Sequence, residues 1–248
     1  MKILKYKRLS NGKYQLFLDS DKEMSLYEET ILKYELLLKG DISVQQEDEI
    51  NKYNDLCEVY YVGMKSLKSR FKSTKELRDN LLKKGYSIDS IDLAINKLLE
   101  QGYLNDDLFS ISYINNQIMT TNRGPLKLVR ELLNKGVNRD IINKNISIFT
   151  NDLQIEKVNK VINKLISNNK TRGGIVLKKK ILSDLMNLGY DQSLITHELS
   201  KYDISNNSDI YKKEYDKLYK KLSKKYSDKE LEYKIKERLY QKGLYYEN

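Results

Sequence analysis

Apolar residues recur along this chain in two rhythms. Between Lys2 and Leu26 they alternate with polar ones in "KILKYKRL", "KYQLFL" and "EMSL", and Asn11-Gly12 and Asp19-Ser20-Asp21 separate the runs. Alternation interrupted by such turn residues predicts three short strands joined as hairpins. The pattern becomes helical from Ile31 to Leu38, ahead of Gly40. The polar, acidic stretch from Ser43 to Asp55 is expected to join this module to the first helical repeat.

Beyond it, one phrase returns. "LLKKGY", "LLNKGV", "LMNLGY" and "LYQKGL" place glycines at 85, 136, 189 and 243, and the spacings are 51, 53 and 54 residues. A segment with helical apolar spacing precedes each glycine, as in Leu126, Val129, Leu132 and Leu133. Glycine suits the position just past a helix because the left-handed conformation costs it nothing. Ser73-Thr74-Lys75-Glu76 has the form of a capping box, Ser87, Asn138 and Asp191 are placed to cap, and Pro125 suits a first helical position.

These signals predict three helices per repeat. They fall at 55–72, 74–84 and 87–101, then 106–121, 125–135 and 138–149, then 152–168, 173–188 and 191–201. A fourth set, 208–225 and 228–242, lacks its third helix. The expected fold is mostly α: elongated tandem three-helix repeats, a helical solenoid, with a small N-terminal β-meander. The expected divisions are 1–54, 55–105, 106–151, 152–207 and 208–248, the last an incomplete repeat whose apolar surface Tyr240, Leu244, Tyr245 and Tyr246 are expected to cover.

Composition narrows the chemistry. The chain has 248 residues, 40% of them hydrophobic, enough for a substantial core. No apolar run approaches the 18 or so residues of a membrane span, and the N-terminus has no signal-peptide pattern, so a cytoplasmic protein is expected. Cys57 and His197 are the only residues of their types, which leaves no internal disulfide and no Cys/His zinc site. No cofactor, metal site or enzymatic activity is expected.

The net charge of +10 points to nucleic acid, although Lys-rich, Ala-poor composition also follows from AT-rich codons. Residues 1–62 carry 9 basic and 12 acidic side chains, a net of −3, so the remainder holds +13. Nine positions before the four glycines stand Glu76, Lys127, Lys180 and Lys234, a candidate lysine ladder, against which stands an ordinary solvated face. Arg123, Arg130, Arg172 and Lys179 join them as candidate filament- or DNA-binding residues. Arg172-Gly173-Gly174 could offer amides to a phosphate, but no Gly-Lys-Ser/Thr follows. Asp106-Asp107 reads as a cap before a metal pair, and Tyr60, Tyr113, Tyr211, Tyr215 and Tyr219 read as core before base-stacking residues.

"STKELRDNLLKKGYSIDSIDLAINKLLEQGYLNDDLFSISYINNQ", followed by "RGPLKLVRELLNKGV", resembles the bacterial RecX regulatory family, and the likeness extends over nearly the whole chain. The strand module and the extra C-terminal repeat are similar to the longer members from Gram-positive bacteria. One position departs: Leu108 stands between Asp106-Asp107 and Phe109 where the family usually has arginine. The resemblance implies a monomeric non-enzyme acting in DNA repair, homologous recombination and the SOS response. Such a protein lies along the groove of the RecA filament on single-stranded DNA, mainly as an inhibitor, and modulates strand exchange, ATPase and coprotease activity. Single-stranded DNA is the implied nucleic-acid partner, with double-stranded DNA a second option; a general DNA-binding repeat protein without a recombinase partner is the alternative.

Overall fold

The computed structural model describes residues 1–204 and 208–245. Three strands, β1 (Ile3–Arg8), β2 (Lys13–Leu18) and β3 (Glu23–Tyr27), form an antiparallel sheet in sequence order. The alternation sets its faces: Leu16, Leu18, Met24 and Leu26 are buried, and Phe17 and Ser25 between them are not. Gly12 has φ +81 and Asp21 φ +58 at the two predicted turns. The helical signal after β3 resolves into two pieces, α1 (Glu28–Lys33) and α2 (Leu36–Lys39), broken where Glu35 takes φ +54.

The stretch expected to link the modules is helical. Helix α3 runs Val44–Ser69, and Ser43 and Gln46 form a reciprocal capping box at its start. Its polar first half binds the sheet module through hydrogen bonds. Asn54 Oδ1 accepts the Tyr27 N–H at 2.8 Å and the Thr30 hydroxyl at 3.3 Å, while its amide donates to Ser25 O. With Ile50 fully buried and Cys57 beside Thr30, this face is covered despite its polar composition. Burial pushes the Cys57 thiol up.

The remaining helices follow the predicted pattern within a few residues. They are α4 (Thr74–Leu82), α5 (Ile88–Glu100), α6 (Asp106–Thr120), α7 (Pro125–Asn134), α8 (Arg139–Asn145), α9 (Asn151–Ser167), α10 (Gly174–Leu188), α11 (Gln192–Ser200), α12 (Ser208–Leu222) and α13 (Asp228–Gln241). A short 3-10 turn, Ile146–Ile148, extends α8.

Contacts divide the chain into two compact units: Met1–Ser110 with Leu133–Ile141, and Ile111–Leu132 with Ile142–Asn248. The first holds a core of Val59, Leu77, Leu81, Ile91, Ile95 and Leu98 from α3, α4 and α5, where Gly63 lets Leu98 approach α3 closely. Each such buried side chain contributes about 1.5–3 kcal/mol. The second holds Val158, Ile162, Leu177, Ile181, Leu185 and Ile195 of α9–α11, and a cluster on α12 and α13. In that last cluster Leu244 is buried, but Tyr240 is 74% exposed. It does not cover the end as expected; Tyr246 lies outside the described residues.

Candidate partner-binding surface

The second helices of successive repeats meet end to end, and the returning phrase supplies the joint. In the first unit, the Ser73 hydroxyl at the start of α4 donates to Lys135 O at 2.6 Å, beyond the end of α7. Lys75 Nζ donates to Asn134 O at 3.1 Å, and Lys135 Nζ reaches Glu76 Oε1 at 2.6 Å. In the second unit, the Gly124 N–H at the start of α7 donates to Leu188 O at 2.7 Å, and the Leu126 N–H to Gly189 O at 3.0 Å, at the end of α10. The Gly173 N–H at the start of α10 donates to Lys242 O at 2.8 Å, just past α13. At the starts of α7 and α10 unsatisfied amides thus take unsatisfied carbonyls at another helix end, whereas at α4 side chains make the joint.

Glycine makes that approach possible. A Cβ on Gly136 would stand 2.6 Å from Lys75 Cβ, one on Gly189 2.5 Å from Lys127 N, and one on Gly243 2.8 Å from Val176 Cγ2. These glycines also have positive φ, as expected just past a helix end. Their role at the joints has no signature in a single repeat.

The joints place the candidate lysines. Lys75, Lys127 and Val176 each meet the glycine of the following repeat. Lys127, third in α7, therefore corresponds to Val176, and Lys180 stands one turn further along α10. The column counted back from the glycines does not form a single structural row, because the second helices differ in length. Lys127 is half-buried at its joint. Lys180 pairs with Asp184 at 2.7 Å and Lys234 with Glu237 at 3.0 Å, each on its own helix.

The other candidates divide in the same way. Arg123 Nη1 donates to Gln117 Oε1 at 2.9 Å and Glu131 at 3.2 Å, and the Tyr113 hydroxyl donates to the same carboxylate at 2.7 Å. Burial first, then that carboxylate, pushes Tyr113 up to about 12. Arg123 therefore braces α6 against α7. Arg130 is exposed and its Nε bonds Leu126 O; Arg172 and Lys179 are exposed. The Gly173 amide is taken by Lys242 O, so the Arg172-Gly173-Gly174 turn does not present it to a phosphate.

Further expected caps and cores have definite places. Asn105, not Asp106, caps α6 through the amides of Asp107 and Leu108, and Asp106 Oδ1 accepts the Thr74 N–H of α4 at 2.8 Å. No group of three His, Cys, Asp or Glu side chains close enough to hold a metal ion occurs among the described residues. Tyr60 is buried with its hydroxyl on Gln101. Tyr211, Tyr215 and Tyr219 stack in sequence along α12 with ring centroids 6.3 Å apart, but Tyr219, expected in the core, is 49% exposed. His197 is 71% exposed in its side chain.

One apolar pocket of about 260 Å³ lies in the first unit, where α3 ends and α5 leads into α6. Phe71, Tyr103 and Leu108 line it and stand 65%, 56% and 52% exposed. Leu108 is the residue expected from the sequence to depart from the family pattern. Phe71 has a sequence signal, a lone aromatic within the polar run "KSRFKS".

Fold and surface together define a tandem three-helix repeat protein with a strand module at its N-terminus and a basic later part. Family comparison matches residues 60–98 to the first three-helix domain of RecX and residues 105–144 to the second. Regulatory protein RecX of Listeria monocytogenes (strain HCC23) is 31% identical over 206 residues, 82% of this chain and 77% of that one. RecX of Bacillus velezensis is 27% identical over 234 residues, 93% of this chain and 89% of the other. A crystal structure of regulatory protein RecX shares the fold with a TM-score of 0.72 at 21% identity, covering 79% of this chain and 98% of that one. RecX from Lactobacillus salivarius superposes with a TM-score of 0.57 at 24% identity, covering 61% and 98%.

The chain belongs to the RecX family of regulatory proteins. Among the described residues no helix is long and apolar enough to cross a membrane.

Proposed function

We propose that this protein regulates the RecA recombinase, mainly as an inhibitor, by binding along the groove of the RecA filament on single-stranded DNA. Its membership of the RecX family carries the reading, and the charge distribution supports it. The +13 held beyond residue 62 belongs to the repeats, where Arg130, Arg172, Lys178 and Lys179 are exposed to phosphates or to acidic protein surface. The lysines that pair with carboxylates on their own helices, Lys180 and Lys234, contribute through the local field and by exchanging partners on binding.

In this reading the protein acts in the cytoplasm as a monomer and without a cofactor. It works by occupying the filament, slowing strand exchange, ATP turnover and coprotease activity, and performs no catalysis itself. Capture of purified RecA by the immobilised protein, with and without single-stranded DNA, tests the partner. Capture that strengthens when the filament forms supports the reading. Retention of DNA with no RecA under either condition replaces it with a general DNA-binding repeat protein.

A further inference from the structure

We propose that the pocket between the end of α3 and the α5–α6 connection receives one unstacked base of a single DNA strand. The inference rests on the reading that this protein meets single-stranded DNA. The pocket has an apolar floor of Met64 and Leu67, and the rings of Phe71 and Tyr103 stand more than half exposed beside it. An exposed aromatic ring offers a stacking face that any base can use. At about 260 Å³ the pocket is at or below the lower limit for a drug-sized ligand, which suits a single ring system.

Charge selects among apolar occupants. The charged lining residues are Lys68 and Lys72, and no carboxylate lines the pocket. Lys72 is only 7% exposed; its ammonium donates to Ser66 O at 2.6 Å and lies 3.5 Å from the Ser69 hydroxyl. Among the described residues it has no carboxylate at ion-pair distance. Burial, and then Arg70, pulls its pKa down. The Glu76 carboxylate acts on it only from beyond ion-pair distance and is itself paired with Lys135, so the Lys72 ammonium, held by neutral oxygens, has no carboxylate of its own. The phosphates on either side of a base supply that charge next to an apolar ring, whereas an apolar peptide side chain brings none.

The test compares a short labelled thymidine oligonucleotide with an abasic strand of equal length, both titrated by fluorescence anisotropy. The two strands share their phosphates and differ only in bases. The intact protein is expected to bind the base-bearing strand about tenfold more tightly. The double variant Phe71→Ala/Tyr103→Ala is expected to bind both strands nearly alike, with its affinity for the abasic strand unchanged. Lys68→Ala is expected to weaken both to the same degree. Should the alanine pair fold poorly by circular dichroism, Phe71→Leu/Tyr103→Leu keeps the apolar bulk and removes the stacking faces, with the same expected loss.

Equal binding of the two strands by the intact protein overturns the pocket's assignment, as does discrimination that survives in the variant. Loss of RecA filament capture by the variant with its base discrimination intact would make the occupant a protein side chain and also overturn it. Failure of the intact protein to bind either strand would instead remove the reading that it contacts DNA.

Discussion

Gly124 and Gly189 lie back to back: the Gly124 N–H donates to Leu188 O at 2.7 Å, and a Cβ on Gly124 would fall 2.6 Å from the Gly189 carbonyl carbon. No flexible side chain lies between them to give way. Gly124 is absent from the positive-φ residues, so its need for glycine is the close approach alone, whereas Gly189 has φ +94 as well. The Gly124-Pro125 opening of one repeat and the Leu188-Gly189 close of the next are two sides of one contact.

Gly124→Ala is therefore expected to destabilise the protein by about 2–4 kcal/mol, through backbone displacement and a lost buried hydrogen bond. Gly85→Ala is the informative comparison, since Gly85 has φ +86 but open space around its Cα. Its cost should be the conformational strain alone, about 1 kcal/mol. Thermal melting of the two variants measures the difference; equal shifts would mean that the joint contributes nothing beyond helix termination.

Removing residues 208–248 takes away the partner of α10. The Gly173 N–H loses Lys242 O and Val176 loses Gly243. The truncated protein is expected to melt several degrees lower while keeping the helical circular dichroism of the first three repeats. An unchanged melting temperature with weakened filament capture would make this segment a partner-binding arm instead.

Glu198 gives stability a definite pH dependence. Its carboxylate is almost wholly covered, and the Lys201 ammonium at 2.7 Å and the Asn159 amide at 2.9 Å hold it below the usual glutamate range. A carboxylate with a lowered folded pKa adds stability that is fully present above its unfolded value near 4.3 and is lost as pH falls through the folded value. The melting temperature of Glu198→Gln should lie below that of the intact protein at pH 7. The two curves should converge as pH drops below about 4, and a gap that stays constant would show that the charge is not what matters.

Much of this fold is written in local pattern. The strands, the capping box at Ser73 and the glycines after α4, α7, α10 and α13 are signals that one element carries alone, and the structure places the helix ends within a few residues of them. The first half of α3 is harder to read because Ile50 is its sole aliphatic residue between Val44 and Asp55, and its buried face is completed by the polar Asn54. The Ser43–Gln46 capping box is the available clue. The joints and the lysine register are not legible in the sequence, since they depend on which residue of the next repeat each glycine touches. Counting along the sequence aligns Lys127 with Lys180, while packing aligns it with Val176.

The candidate cations can be tested with that register in mind. Replacing Lys127, Lys180 and Lys234 together by Gln should reduce affinity for single-stranded DNA and lower the logarithmic salt slope by up to about 2 units, if all three reach phosphate. The control replaces the exposed Lys65, Lys164 and Lys224 and removes the same charge. Equal losses in the two proteins would assign the effect to overall charge and not to these three positions.

Regulation of RecA is tested most directly by following RecA-promoted strand exchange with increasing amounts of the purified protein, at fixed RecA and single-stranded DNA. Exchange is expected to fall progressively at substoichiometric to equimolar protein, and filament ATP turnover to fall with it. Strand exchange that proceeds at its full rate with the protein in excess, under conditions where the RecA filament is intact, would show that this protein does not inhibit the recombinase.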